Sequence, residues 1–322
     1  MTGAVDVIVV NYGTVDLAVR AVESILERKH GGREVTVHLV DNASPGDDAG
    51  RMQEVHQASG WEGRVRLWLS DENLGFGRGN NLVIDALLSA AEDAPEFVFL
   101  LNPDAALINE AVDLLACELE ADDGAGAAGA AIELPDGTAQ AAAFRFPRPV
   151  DEVVRTINFG PLDRLFGVTD NEHPTGPEGG VVDWLTGAAV MFRLDALRQT
   201  GSFDPGFFLY YEEVDLMRRL HVEGWRSRFI PAARVLHVMG AATGNPFEGR
   251  KRTPEYVYRS RRRYFEKAHG RPVALAMAAG IWIAGGLNVL LNAWRRPLYL
   301  PLKFFPDHWR FVLRPLLMGR KK

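Results

Sequence analysis

Asp104 closes the run Phe97-Val-Phe-Leu-Leu-Asn-Pro-Asp104, in which five apolar residues lead to a polar tip stiffened by proline. A single carboxylate in that setting suits a hard divalent cation that also holds a diphosphate, because Mg²⁺ and Mn²⁺ use few protein ligands plus substrate phosphate. The plainer alternative is an aspartate capping the following helix. A second acidic group, Glu212, Glu213 and Asp215, follows the aromatics Phe207, Phe208, Tyr210 and Tyr211. Desolvation against such a wall, together with like charge nearby, raises a carboxylate pKa toward the range of a general base. An acidic first helical turn favoured by the helix dipole would produce the same pattern. His237, after the apolar run Ile230 to Leu236, is a candidate ligand or a structural histidine.

These tips need elements to hold them. Val5 to Val10, Glu34 to Val40, Val65 to Leu69 and Phe97 to Leu101 read as strands, and the last is apolar throughout, as in a parallel sheet buried on both faces. Asp16 to Arg28 and Gly79 to Ala91 have helical spacing between them, so the order predicts a doubly wound α/β sheet. Strands one, two and three end in Asn11-Tyr12, Asp41-Asn42 and Asp71-Glu72-Asn73. Polar loops at successive strand ends are how such sheets assemble a nucleotide pocket. The glycines of Asn73 to Asn80 form neither a Walker loop nor a dinucleotide fingerprint, but before a helix they would let backbone amides approach a phosphate. A helix and an Ala/Gly-rich strand are expected over 105–131, with a hairpin turn at Pro135-Asp136-Gly137. Residues 144–180 read as a long loop or lid. From Glu212 the spacing is helical, with Val214, Met217, Leu220 and Val222 expected to face inward.

Cys117 is the sole cysteine, which excludes an intrachain disulfide and a cysteine-built metal site and fits a reducing compartment. The first strand begins so early that no signal peptide is expected. The net charge of -6 conceals an asymmetry: residues 250–322 carry 17 Lys and Arg against 3 Asp and Glu. An acidic body with a basic tail points to an anionic partner for the tail. Val273 to Trp294 carries no charge and is long enough to span a bilayer, though its glycines and Asn288 and Asn292 make it a poor span. An in-plane or re-entrant anchor on an anionic membrane, a true span and a homo-oligomer interface are the three readings. The long apolar run argues against nucleic acid.

Several segments together, in order, resemble the inverting glycosyltransferases of family 2, which have the GT-A fold, and are most similar to the rhamnosyltransferase-like branch. They are Asn11-Tyr12, Val40-Asp-Asn-Ala-Ser44, Asn73-Leu-Gly-Phe-Gly-Arg-Gly-Asn-Asn81, Leu101-Asn-Pro-Asp104, Trp184-Leu-Thr-Gly187, Gly201-Ser-Phe-Asp204, Tyr210-Tyr-Glu-Glu-Val-Asp-Leu216 and Pro231-Ala-Ala-Arg-Val-Leu-His237. The resemblance runs from Val5 to about Gly270. It implies a Rossmann-like, mostly parallel sheet flanked by helices over 1–249, with a nucleotide-sugar half (1–104) and an acceptor half (105–249). Residues 250–322 would form a helical, membrane-associating extension.

Residue by residue, the resemblance implies that Val10, Asn11, Tyr12, Asp41, Asn42, Asn73, Gly75, Asn80 and Asn102 line the nucleotide-sugar. Trp184 and Gly187 would face the donor sugar or the acceptor, and Asp104 and His237 would hold Mn²⁺ or Mg²⁺. Glu213 would be the base, with Glu212 and Asp215 orienting the helix or the acceptor. The chain departs from the family pattern at Asn102, where the metal motif usually starts with Asp, and at Glu213, where Asp is usual. The implied activity is inverting transfer of L-rhamnose from dTDP-rhamnose to a membrane-linked glycan or polyprenyl-diphosphate acceptor at the cytoplasmic face of the membrane. Alternatives are a UDP-sugar donor (galactofuranose, GlcNAc or glucose) and an inactive nucleotide-sugar-binding subunit.

Overall fold

The computed structural model describes residues 3–61, 63–90, 94–168, 172–173, 178–238, 251–293 and 300–319. Trp294, Arg295 and Arg296, and parts of the expected lid at 169–171 and 174–177, lie outside the described residues. In chain order the elements begin β1 (Val5–Asn11), α1 (Val15–Leu26), β2 (Val35–Asp41), α2 (Asp48–Ala58), β3 (Val65–Leu69), α3 (Gly75–Ser89) and β4 (Phe97–Leu101). There follow β5 (Ala105–Leu107), α4 (Ala111–Ala121), β6 (Ala125–Glu133), β7 (Ala139–Gln140), β8 (Ala143–Phe144), α5 (Pro149–Ile157) and α6 (Gly160–Phe166). Then come β9 (Gly180–Val182), β10 (Trp184–Leu185), β11 (Ala189–Arg193), α7 (Leu194–Thr200), α8 (Glu212–Val222) and β12 (Arg226–His237). The chain closes with α9 (Glu255–His269), α10 (Arg271–Leu291), α11 (Phe304–His308) and α12 (Arg314–Met318).

The chain divides into two compact units. The first comprises Met1–Arg145, Glu172–Pro205 and Glu212–Gly244. Its sheet runs β3-β2-β1-β4-β11-β6-β12-β5. The first four strands are parallel, as the alternation of strands and helices predicts. Beyond β4 the sheet is mixed, because β11 returns antiparallel to both β4 and β6 while β12 runs parallel to β6. All five residues of β4 are buried, as a central strand covered on both faces requires. The helices α1 and α4 lay Val15, Ala18, Val22, Leu115 and Leu119 on this sheet. β6 is built of Ala and Gly because it is approached closely: a Cβ at Gly129 would lie 2.6 Å from the Leu185 side chain.

Two local expectations fail for identifiable reasons. α3 starts at Gly75 rather than Gly79, so Gly77 and Gly79 lie inside the helix. A Cβ at Gly77 would meet Phe203 at 3.0 Å, and one at Gly79 would meet Val10 at 3.0 Å. These glycines permit close helix packing instead of opening a loop to a phosphate. Val222 is 69% exposed, being the last residue of α8 where the chain turns away.

The second unit comprises Phe146–Asn171, Gly206–Tyr211 and Asn245–Lys322. Within the expected lid of 144–180 it forms α5 and α6. Pro149 and Pro161 stand in their first turns, and left-handed Asn158 and Gly167 end them. The prolines and glycines that suggested a loop are therefore helix boundaries. α10 rests on α5, with Val153 against Gly280, and α9 carries Tyr258, Tyr264 and Phe265 into the interior of the unit.

Candidate active site

The metal-type residues meet at the carboxyl end of the sheet. β4 delivers Asn102 and Asp104, and β12 pairs with β5 so that His237 lies opposite Ala105. The His237 Nε2 is 3.0 Å from Asp104 Oδ1 and 3.4 Å from the Asn102 amide nitrogen. The backbone locks this arrangement: Val238 N–H donates to the Asp104 carbonyl and Asn102 N–H to the Ala188 carbonyl. Among the described residues, no group of three or more His, Cys, Asp or Glu is placed to hold a metal ion by itself. The available set is thus one carboxylate, one imidazole and one amide, all convergent. That set fits a divalent ion that completes its shell with diphosphate oxygens, since Mg²⁺ and Mn²⁺ are held this way beside phosphates.

The nucleotide-type residues fall into two kinds. Asn11 is fully buried; its amide nitrogen lies 3.2 Å from Asp41 Oδ1 and 3.0 Å from Ser44 Oγ, and its oxygen accepts from the Thr14 N–H at 3.0 Å. Asp41 in turn accepts from the Ser44 N–H. Asn42 ties the second loop to the third, donating to Gly75 O and Asn73 Oδ1 and accepting from Leu74 N–H. Asn80 donates back to Phe76 O within its own helix. Asn11, Asp41 and Asn42, expected to line a ligand, are tied into hydrogen bonds that hold the loops in place, and Asn80 into one within its own helix. Their burial leaves little of them for a ligand to touch. Tyr12, Asn73 and Val10 remain partly exposed. Gly75 supplies the positive φ of 76° with which α3 begins, and Asn73 caps its N–H.

The acidic group opens α8, immediately after Tyr210 and Tyr211. Both tyrosines have positive φ, 67° and 70°, a conformation that costs a bulky residue about 1–3 kcal/mol and gathers at functional sites. The three carboxylates diverge. Asp215 is buried and forms an ion pair with Arg219 at 3.0 Å, and Arg219 clamps the carbonyls of Thr200 and Ser202. Through Arg219 its charge is tied to the loop before α8. Glu212 is 2% exposed, its Cβ 3.5 Å from where a Gly77 side chain would begin. Glu213 is the partly exposed member; its Cβ stands 4.0 Å from the corresponding point of Gly187, which the Phe76 ring also meets, at 3.1 Å. Burial of its carboxyl pushes its pKa up to about 7, outweighing the helix-start amides that pull it down. Its Oε2 is buried with no hydrogen-bond partner in the protein.

Gly187 thus reaches the acidic turn. Trp184 stacks on Phe144 at 4.3 Å and donates from Nε1 to the Arg145 carbonyl. The Leu185 N–H donates to Met217 Sδ of α8, which fastens this segment to the acidic helix. Phe76 and Asn81 were not singled out from the sequence. Asn81 holds Phe203 through both its amide atoms, at 2.8 and 3.0 Å, and so fixes the 201–204 loop under α8. Its place in the Asn80-Asn81 pair was the available signal.

Comparison with known proteins bears on what this arrangement does. Residues 178–295 match the family model described as glycosyl transferase family group 2. A protein of Mycobacterium tuberculosis, N-acetylglucosaminyl-diphospho-decaprenol L-rhamnosyltransferase, is 32% identical over 220 residues, covering 66% of this chain and 69% of that protein. The Escherichia coli rhamnosyltransferase WbbL is 37% identical over 57 residues, 18% of this chain and 22% of its own. Among solved structures, GalNAc-T7 with UDP, GalNAc and Mn²⁺ aligns at a TM-score of 0.59 and 13% identity, over 99% of this chain. The alignment spans only 56% of the length of that protein. The mannosyltransferase PcManGT from Pyrobaculum calidifontis, in complex with GDP-Man and Mn²⁺, aligns at 0.54 and 16% identity, over 100% of this chain and 82% of its own. At such identities the structural likeness speaks for the fold.

Proposed function

The chain belongs to the family 2 glycosyltransferases, in their rhamnosyltransferase-like branch; from that premise we propose that it transfers an L-rhamnosyl group, with inversion, from dTDP-rhamnose to a sugar carried on polyprenyl diphosphate. The observation that carries the chemistry is Glu213, a partly exposed carboxylate with a desolvated oxygen and a pKa near neutrality. The sugar and the acceptor rest on the M. tuberculosis relative, whose name specifies both.

Ionised Glu213 accepts the proton of an acceptor hydroxyl as that oxygen forms its bond to the anomeric carbon. The bond from that carbon to the diphosphate breaks on the opposite side, so one displacement inverts the centre. Gly187 keeps the space before Glu213 free of a side chain. Asp104, His237 and Asn102 would hold a divalent ion, which when bound offsets the charge developing on the leaving diphosphate. Tyr12 and Asn73, partly exposed members of the loop cluster, would meet the nucleoside, while Asn11, Asp41 and Asn42 keep those loops in register.

The test is a transfer assay with dTDP-L-rhamnose and N-acetylglucosaminyl-diphospho-polyprenol, run beside UDP-galactofuranose, UDP-GlcNAc and UDP-glucose, with Mn²⁺ and with EDTA. Product from the rhamnose donor alone supports the reading. Product from a UDP-sugar alone moves the specificity, and binding of every donor without turnover replaces the enzyme with a binding subunit.

A further inference from the structure

α10 is long and apolar enough to cross a membrane, with a mean hydropathy of 1.9 over its best window, yet its two sides differ. Ala274, Met277, Ile281, Ala284 and Asn288 recur every three or four residues and are buried. Asn288 and Asn292 explain why an apolar helix carries amides: they donate to the Thr156 and Ile157 carbonyls at the end of α5, at 3.0 to 3.2 Å. α5 is itself charged, with Asp151 paired to Arg148 and Glu152 to Arg261. A spanning α10 would drag these charges into hydrocarbon or shed α5 and orphan its carbonyls, and both are costly.

The other side of α10 is open. Val273, Ile283, Leu287 and Leu290 line it at helical spacing, with Ile283 62% and Leu290 74% exposed. α11 and α12 run antiparallel beside α10, since Arg271 donates to Leu316 O, His308 contacts Ala278 O at 2.8 Å, and Phe305 meets Trp282 edge-on at 5.5 Å. This second strip exposes Leu302, Trp309 and Leu317 interleaved with Lys303, Arg310 and Arg314. Between residues 270 and 319 the only acidic side chain is Asp307, which is buried and paired with Arg252 at 2.6 Å. The layer therefore presents apolar groups and cations with no exposed carboxylate among its described residues. Large apolar side chains mixed with Lys, Arg and Trp suit the headgroup layer of an anionic bilayer, and a contiguous exposed apolar strip calls for a partner.

We propose that α10 and the α11–α12 strip lie flat on an anionic lipid bilayer, with Ile283, Leu287 and Leu290 in the acyl boundary and Lys303, Arg310 and Arg314 at the phosphates. This is independent of the sugar and acceptor assigned above. The experiment is flotation of the full chain with phosphatidylcholine vesicles and with vesicles containing phosphatidylglycerol, followed by alkaline carbonate extraction. Expected are binding to the anionic vesicles at least tenfold above the neutral ones, release by carbonate, and a tenfold or greater loss in the variant Ile283→Glu/Leu287→Glu/Leu290→Glu. Since these side chains are exposed, the variant should keep its thermal melting point and its donor turnover in solution. Carbonate-resistant binding would mean a span and overturn the proposal. So would unchanged binding of the variant, or a wild-type dimer by light scattering that ignores both kinds of vesicle.

Discussion

Asp104 and Glu213 are both carboxylates at the edge of the first unit, and the chain surrounds them differently. Asp104 follows a central strand, and a histidine from 133 residues away lies 3.0 Å from it. Glu213 opens a helix behind two strained tyrosines, and its Oε2 meets no partner in the protein. A carboxylate ringed by convergent donors suits a cation, whereas one in a dry setting keeps a pKa suited to taking a proton. In the proposed mechanism one functional group thus serves two roles, set by what adjoins it.

The division is broken most directly at Asp104. Asp104→Ala should remove transfer and the Mn²⁺-dependent part of donor binding while the fold survives. Calorimetric donor affinity that is the same in the variant and wild type, with and without EDTA, would erase the distinction.

Glu213→Gln should reduce turnover by about 10²–10⁴-fold and leave donor affinity nearly unchanged. Glu213→Asp, the residue usual in the family, should keep measurable activity. Glu212, 2% exposed and turned toward α3, should affect melting when changed to Gln more than it affects the pH profile. A fully active Glu213→Gln would transfer the role of base to a neighbour.

The titration of Glu213 sharpens the contrast. The base must be ionised, so kcat/KM should decline as pH falls below about 7, and the residual activity of Glu213→Gln should lack that limb. The linked effect on stability has the opposite sign. Below the ordinary value of 4.5 both folded and unfolded chains hold the proton. Between 4.5 and about 7 the folded chain alone retains it, so stability falls as pH rises through that window and is level above it. Denaturant titrations of wild type and Glu213→Gln should diverge there by up to about 3 kcal/mol. Parallel curves would place Glu213 in water.

The smallest expected effect lies at Asp215. Asp215→Asn weakens the hold on Arg219 and hence on the 200–202 loop, costing about 1–3 kcal/mol and less activity than Glu213→Gln. A loss as large as that of Glu213→Gln, with an altered pH limb, would make Asp215 a participant in the chemistry.

Much was legible in the chain because it is local. The first four strands and the acidic helical turn follow from side-chain period and from runs of apolar residues, which depend on near neighbours. The polar tips of Asn11, Asp41 and Asn102 are likewise read from where those runs stop. Tertiary structure alone decided which tip residues stay partly open and which are consumed holding loops. Asn11 and Tyr12 are adjacent in sequence, yet one is buried among Asp41, Ser44 and Thr14 while the other is partly exposed. It also decided the direction of β11, since an apolar run has no sense of parallel or antiparallel. The glycines of α3 read as a loop until Phe203 and Val10 are seen against them. Asn288 and Asn292 read only as blemishes in an apolar run until they are found on the carbonyls of α5. In each case the deciding partner lies far along the chain, and only folding sets the distance between them.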